Sequence, residues 1–296
     1  GIQFDIYHRT SDPLHHQTAS AFFKDLESKG ALETKTSEQY FDEATATFLA
    51  DRYIKGTCPN CSHTEAYGDQ CEKCGKSLSP EELINPVSTL SGKAPIKKET
   101  THWYLPLNQH EDFLRQWILN EHAKDWRPAV VGQCKSWIEA GLQPRAVTRD
   151  LDWGVQVPIA SAIGKVLYVW FDAPIGYLSI LIHNRKDWRD WLGKTWIQFM
   201  AKDNVPFHTV MFPSTLLGSS KVLGSDSVNC GVTHLSCTEY LTFDNKKFSK
   251  SNGVGVFGID AIELSKFLNI DEDYWRYYLM RIRPQTSDSV LVDSFE

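Results

Sequence analysis

The stretch Lys165-Val166-Leu167-Tyr168-Val169-Trp170-Phe171-Asp172-Ala173-Pro174-Ile175-Gly176-Tyr177 decides how this chain is read. Its first half is an unbroken apolar run after Lys165, which predicts a strand buried on both faces of a parallel sheet. Further strand candidates lie at 196–200 and 232–243, with a helix candidate at 208–217 between them. Strands that alternate with helices predict an α/β fold. Upstream, residues 4–10 read as a short strand, and Ser11-Asp12-Pro13 reads as a helix start with a capping side chain and a proline in the first turn. Ala19, Phe22, Phe23 and Leu26 fall on one face of that helix, and Gly30 is its expected stop.

Composition bounds the function. The chain has 296 residues, 42% of them hydrophobic and 12% aromatic, enough for two domains with cores of their own. The formal net charge of -6 argues against holding nucleic acid by bulk charge, DNA included, so any such contact must use local basic patches. No run of about 18 apolar residues occurs, and the first residues resemble no signal peptide, so a cytoplasmic protein with no membrane contact is expected. From residue 31 to about 106 the chain is turn-rich and shows only short strand-like runs, such as 48–54 and 102–107. Helical stretches follow at 109–121 and 137–141, and two more at 259–268 and 273–283 precede Pro284.

Seven cysteines are too few for a disulfide scaffold, and four of them are grouped. Cys58-Pro-Asn-Cys61 and Cys71-Glu-Lys-Cys74 are two Cys-x-x-Cys pairs separated by nine residues. Each such turn delivers two sulfurs to one metal, so the set predicts a structural Zn2+ with no open coordination position. His63 lies between the pairs as a competing ligand, and Cys134, Cys230 and Cys237 read as ordinary buried thiols. A second basic feature is Lys246-Lys247-Phe248-Ser249-Lys250-Ser251-Asn252-Gly253, which by itself reads as a solvated loop.

The zinc knuckle, the run from Val169 to Tyr177 and Lys247-Phe248-Ser249-Lys250-Ser251 occur in one order, and together they resemble the methionyl-tRNA synthetases of class I. The resemblance spans nearly the whole chain. It departs at Phe248, where the family usually has methionine, and in having no His-x-Gly-His signature. It therefore implies a piece of the catalytic region, inactive alone, whose first nucleotide-binding half and anticodon-binding domain lie outside the sequence. The implied architecture is a partial Rossmann-type parallel sheet. Residues 1–29 would end the first half, 30–165 form the connective insertion with the zinc knuckle, 166–240 the second half, and 241–296 the signature loop and the start of a helical stem-contact region.

The activity implied is ATP-dependent activation of methionine, with Mg2+, and its transfer to tRNA(Met). Charge on the leaving pyrophosphate must be offset, which Lys247 and Lys250 on a mobile loop would do, with Ser249 and Ser251 contacting phosphate or holding the loop. A thioether suits an aromatic pocket, for which Trp170, Tyr177, Phe207 and Phe212 offer rings. By the resemblance, Trp170, Ala173, Pro174, Tyr177, Phe207 and His208 would bind methionine, and Ala201, Lys202 and Asp203 would lie by the adenosine and ribose. Asn204 stands where the family often has an apolar residue, and Arg149-Asp150 reads either as pocket surround or as a salt bridge on a linker. The competing reading is a non-catalytic zinc-ribbon module that binds RNA through Lys93, Lys97, Lys98 and the loop lysines; it leaves 170–177 without a role. The isoleucine, valine and leucine synthetases would need a longer insertion than residues 30–165 allow.

Overall fold

Helix α1 (Pro13–Ser28) begins where its sequence directs: Asp12 stays extended and accepts a hydrogen bond from the Leu14 N–H at 2.8 Å, with Pro13 in the first turn. It ends at Ser28, and Gly30 turns away with a φ of 66°. The computed structural model describes residues 2–68, 71, 74, 78–219, 232–249 and 253–291, and at Asp51 the backbone alone. Over its described residues the chain divides into two compact units, one with bounds Gly1–Asn108, Gln143–Trp188 and Ser214–Ser227 and the other with bounds Gln109–Leu142, Arg189–Pro213 and Val228–Glu296.

In the first unit, β1 (Glu33–Asp42), β2 (Thr47–Phe48), β3 (Ile54–Thr57), β4 (Ala66–Tyr67), β5 (Ile84–Ser88), β6 (Ile96–Leu105), β7 (Arg145–Ala146), β8 (Thr148–Arg149) and β9 (Val166–Leu167) form antiparallel groups in the orders β2-β1-β6-β7, β4-β3-β5 and β8-β9. Here the structure corrects the sequence reading. The region expected to hold only short strand-like runs contains two ten-residue strands, β1 and β6, paired from Glu33↔Tyr104 to Phe41↔Ile96. β1 carries little apolar alternation because side chains on both of its faces are held by other means. Lys97 Nζ lies 4.1 Å from the Tyr40 ring centre, Lys98 Nζ 4.1 Å from that of Phe41, and Thr36 hydrogen-bonds Thr101 at 2.8 Å.

Residues 4–10 are not a strand. The strand expected across 165–171 is also corrected: only Val166 and Leu167 pair, antiparallel to β8, and Val169–Asn184 is helix α4. An apolar run cannot by itself tell a buried strand from a buried helix. The face of α1 arbitrates: Ala19, Phe22, Phe23 and Leu26 are fully buried, α4 packs on α1, and the Phe23 and Phe171 rings meet edge-on at 6.3 Å. Each of the larger of these, Phe22, Phe23 and Leu26, contributes about 1.5–3 kcal/mol by its burial.

The second unit has α2 (Glu111–Arg115), continued by a π-type segment to Glu121, then α3 (Pro128–Glu139), which starts well before the 137–141 expected. Strand β10 (Ile197–Ala201) pairs in parallel with β11 (His234–Thr238), and β12 (Leu241–Phe243) in parallel with β13 (Ser289–Leu291). These are two separate parallel pairs: β10 and β11 match the expected alternation, whereas the single strand expected at 232–243 is divided into β11 and β12, and β13 was not expected. Helix α5 (Phe212–Gly218) lies between β10 and β11 in the sequence, and α6 (Gly258–Leu268) and α7 (Glu272–Arg281) precede β13. No helix among the described residues is long and apolar enough to cross a membrane.

A buried ionic cluster ties β6, β8 and β9 together. Lys165 Nζ donates to Asp150 Oδ1 and to Thr100 Oγ1 (2.6 Å), Thr100 donates to Asp150 Oδ2 (2.7 Å), and His102 Nε2 lies 3.0 Å from the same oxygen. Burial opposes the charge on Asp150, but His102, Lys165 and Thr100 outweigh it and hold its pKa at about 2, below the ordinary 3.8. A depressed carboxylate pKa stabilises the fold fully above the unfolded value and loses that contribution as pH falls through the folded one, here about 2 kcal/mol. Urea unfolding of Asp150→Asn beside the unsubstituted protein should therefore give a stability difference that is constant from pH 7 to 5 and shrinks towards pH 2. A difference unchanged at pH 2 would contradict the assignment.

Candidate functional site

Helix α4 is held by hydrogen bonds as well as apolar contact. Ser179 Oγ spends its proton on the Gly176 carbonyl (3.1 Å), so it must accept from the Nδ1–H of His15 at 3.0 Å. Thr18 Oγ1 likewise donates to the Leu14 carbonyl and accepts from His183 Nε2 at 2.8 Å. His15 is fully buried, and its Nε2 lies 3.7 Å from Asp172 Oδ2. These contacts set the rotation of α4. Phe171, Asp172, Ile175, Leu178 and Ser179 point inward, while Trp170 and Ala173 are half-buried and Tyr177 is exposed. The residues expected to bind methionine, Trp170, Ala173, Pro174 and Tyr177, thus recur at helical spacing along one side. Pro174, itself buried, sits inside the helix and has no N–H for the carbonyl four residues back. Beside the start of α4, a cavity of about 700 Å³ is lined by Arg52, Tyr53, Arg149, Asp152, Tyr168 and Asp172 among others. The Arg149 guanidinium lies 3.9 Å from the Tyr168 ring centre.

The four cysteines come together as their spacing predicts. Their sulfurs lie within 4.8 Å of one another, with Cys58 to Cys74 at 3.9 Å and Cys61 to Cys71 at 3.6 Å, and all four stand outside any disulfide. Ser62, in the left-handed region at φ 57°, folds the first pair back so that its N–H reaches the Cys58 carbonyl and the His63 carbonyl accepts from Cys58 N. His63 is not in the cluster. Cys58 and Cys71 are also buried among Leu49, Ile54, Ala66, Leu78 and Leu83, so the cluster and the small core of β3, β4 and β5 are one body.

In the second unit, Ala201 ends β10, and Lys202, Asp203 and Asn204 make the tight turn after it. Phe207 and His208 open a π-type helical turn, a local widening often found at functional sites. His208 is 4% exposed and donates Nδ1–H to the Asn204 carbonyl at 2.9 Å; burial lowers its pKa, only partly offset by that carbonyl, so the ring is neutral with Nε2 as the acceptor nitrogen. Asn204 thus meets His208 through its main-chain carbonyl, and its side-chain amide donates to Asp203 Oδ1 at 3.4 Å. The expected methionine residues of α4 and those of 207–208 belong to different units. Phe212, the further ring candidate, is buried with its ring 5.9 Å from Trp196. Cys134 and Cys237 are buried thiols as expected, Cys134 with its pKa pushed up to about 11 by burial; Cys230 lies outside the described residues.

The signature stretch follows a tight hairpin. Asp244 and Asn245 both take positive φ (47° and 60°), and Phe243 and Lys246 exchange two hydrogen bonds of 2.8 Å, as in a type I′ turn. Ser249 and Val254 then exchange two of 2.9 Å, which closes the loop. Phe248 packs rather than reacts: its ring lies 5.9 Å from Phe243 and so close to Gly255, at φ 127°, that a Cβ there would fall 2.3 Å from its Cδ1. Lys250 and Ser251 lie outside the described residues. Lys202 is engaged by carboxylates, with Nζ 2.7 Å from Glu239 and 2.8 Å from Asp288. Sequence reasoning missed Glu239, Tyr240 and Asp288 here, and His15 on α1 with Ser179 on α4. Each acts on a partner far along the chain, Asp288 on a lysine 86 residues away, and no local pattern announces that.

Comparison with known proteins agrees with this geometry. The sequence model of the tRNA synthetases class I (M) matches residues 1–294. The methionine–tRNA ligase of Bacteroides fragilis YCH46 is 50% identical over 297 residues, 98% of this chain and 42% of the relative, and that of Cytophaga hutchinsonii is 48% identical over 303 residues with the same shares. The chain thus spans less than half the length of these relatives. Mycobacterium tuberculosis methionyl-tRNA synthetase, solved with bound methionyl-adenylate, superposes with a TM-score of 0.66 at 19% identity over 99% of this chain and 50% of that one, a likeness of fold. With its cysteine cluster, outward α4 face and closed signature loop in the order the motifs required, the chain belongs to the class I tRNA synthetases of the methionine group, tRNA synthetases class I (M).

Proposed function

We propose that the protein is a methionine–tRNA ligase, which activates methionine with ATP and passes it to tRNA(Met), and that this chain supplies part of its catalytic region. The observation that carries the reading is the α4 face. Trp170, Ala173 and Tyr177 stay accessible along one side of a helix whose other side is fixed by His15 and Phe23. Two aromatic rings on a rigid helix suit an unbranched thioether, since sulfur–ring contacts stabilise by about 0.3–1.5 kcal/mol each. Pro174 would shape that face, and Phe207 and His208 are assigned to methionine by the family resemblance alone.

For the nucleotide, we assign Ala201 and Asp203, at the end of a parallel strand, to the adenosine and ribose. In activation the methionine carboxylate attacks the α-phosphorus and pyrophosphate leaves. Lys247 and Lys250 supply positive charge where negative charge grows, and Ser249 and Ser251 hold the loop. The RNA-module alternative loses support because Lys97 and Lys98 are engaged within the chain, Lys97 with Glu81 at 3.3 Å as well as Tyr40.

Zn2+ fits the four cysteines. A tetrahedron with Zn–S bonds of about 2.3 Å has edges of about 3.8 Å, close to the 3.9 and 3.6 Å between paired sulfurs. The metal would hold the β3–β4–β5 body together and take no part in the chemistry. Full-length protein should carry one zinc per chain by elemental analysis, and Cys71→Ser should lose it and expose residues 49–88 to protease while the α1–α4 pair stays protected. Retention of a full zinc equivalent in Cys71→Ser would contradict the ligand set.

The function itself is tested by methionine-dependent ATP–pyrophosphate exchange in full-length protein. Lys250→Ala should slow exchange about 100-fold, as for loss of ~3 kcal/mol of preorganised charge stabilisation, with methionine binding within a few-fold of normal. Exchange at a normal rate in that variant would leave the loop a solvated turn, and no exchange in the unsubstituted protein would refute the ligase reading.

A further inference from the structure

Lys202 is poorly placed to meet phosphate. Its ammonium group is shared between Glu239 and Asp288, and those hydrogen bonds, Asp288 first, raise its pKa. What the pairing does hold is Tyr240. The Tyr240 N–H donates to the same Asp288 oxygen at 2.9 Å, its carbonyl accepts from Ser289 N at 3.0 Å, and the adjacent Glu239 N–H reaches the Pro284 carbonyl at 3.2 Å. Lys202 Nζ lies 4.5 Å from the Tyr240 ring centre, and Lys247 Nζ lies 5.9 Å from the same ring. The ring is thus fixed from its backbone outward, while Lys247 sits on a strand extension that turns at Asp244 and Asn245. Burial first, and then the Asp203 carboxylate beside the hydroxyl, push the Tyr240 phenol pKa up.

We propose that Tyr240 is a positioning residue: braced by Lys202 and Asp288, with Asp203 beside its hydroxyl, its ring holds Lys247 on the side of the nucleotide site before ATP arrives. This rests on the ligase reading and refines it, reassigning Lys202 from nucleotide contact to brace. A ring–ammonium contact of this length is weak, as positioning before chemistry requires. The growing charge on pyrophosphate can draw Lys247 off the ring at little cost, whereas a lysine locked in an ion pair could not follow it.

The test is steady-state ATP–pyrophosphate exchange in full-length protein with Tyr240→Leu, Tyr240→Phe, Lys247→Met and the double variant Tyr240→Leu/Lys247→Met. Tyr240→Leu should lower kcat about tenfold with the methionine KM within about twofold, because the loss is in placing charge and not in binding the amino acid. Tyr240→Phe keeps the ring and should stay within about threefold of normal. The double variant should be no slower than Lys247→Met within about twofold, since Tyr240 acts through Lys247. Should Tyr240→Leu not fold by circular dichroism, Tyr240→Met is read in its place. Losses that multiply in the double variant, Tyr240→Leu within about twofold of normal, or Tyr240→Phe as slow as Tyr240→Leu would each overturn the proposal. Absence of exchange in the unsubstituted protein would instead remove the ligase reading, and this inference with it.

Discussion

The packing of α1 against α4 is the constraint on which the candidate methionine site depends. Apolar burial alone would let α4 roll, because Phe171, Ile175 and Leu178 could pack in neighbouring rotations against Ala19, Phe22 and Phe23. Two hydrogen bonds remove that freedom. The bond to Ser179 gives the fully buried His15 its partner, so a rolled helix would leave that ring nitrogen unsatisfied at about 1–3 kcal/mol, and Thr18 to His183 adds a second, part-buried tie. The rotation that satisfies them leaves Trp170, Ala173 and Tyr177 open, so a buried polar pair unrelated to ligand chemistry selects which side of α4 faces outward.

The second unit solves a different problem, which is to present cations without neutralising them. Lys202 lies between two carboxylates, whereas Lys247 is held by an aromatic face. The turn at Asp244-Asn245 and the paired main-chain bonds of Ser249 with Val254 hold the described ends of the basic stretch without using its charges. The structural Lys202 and Lys247, the lysine proposed to act on phosphate, are in this way separated by the chemistry of their partners.

The parts of this architecture legible in sequence are those with local causes. Asp12, Pro13 and Gly30 bound α1 because capping and turn chemistry act over a few residues, and the paired Cys-x-x-Cys turns predict their own convergence. Misreadings arose where the cause is distant. β1 looks like polar loop until β6 supplies ring–lysine pairs, and Val169 to Phe171 looks like strand until α1 supplies a helical face. At the candidate site the motif residues were found, but the residues that hold them were not. His15 reads as an ordinary helical histidine, and Asp288 as one more acidic residue before a short strand.

The central claim, that the outward face of α4 recognises methionine, is tested most directly by calorimetric titration of methionine and of ATP, separately, into full-length protein carrying Trp170→Ala. Methionine affinity should fall at least about tenfold, the ~1.4 kcal/mol expected from losing one sulfur–ring contact and its buried area, with ATP affinity within about twofold. An equal fall for both ligands would make Trp170 a packing residue, and unchanged methionine affinity would place the amino acid elsewhere; either result contradicts the account.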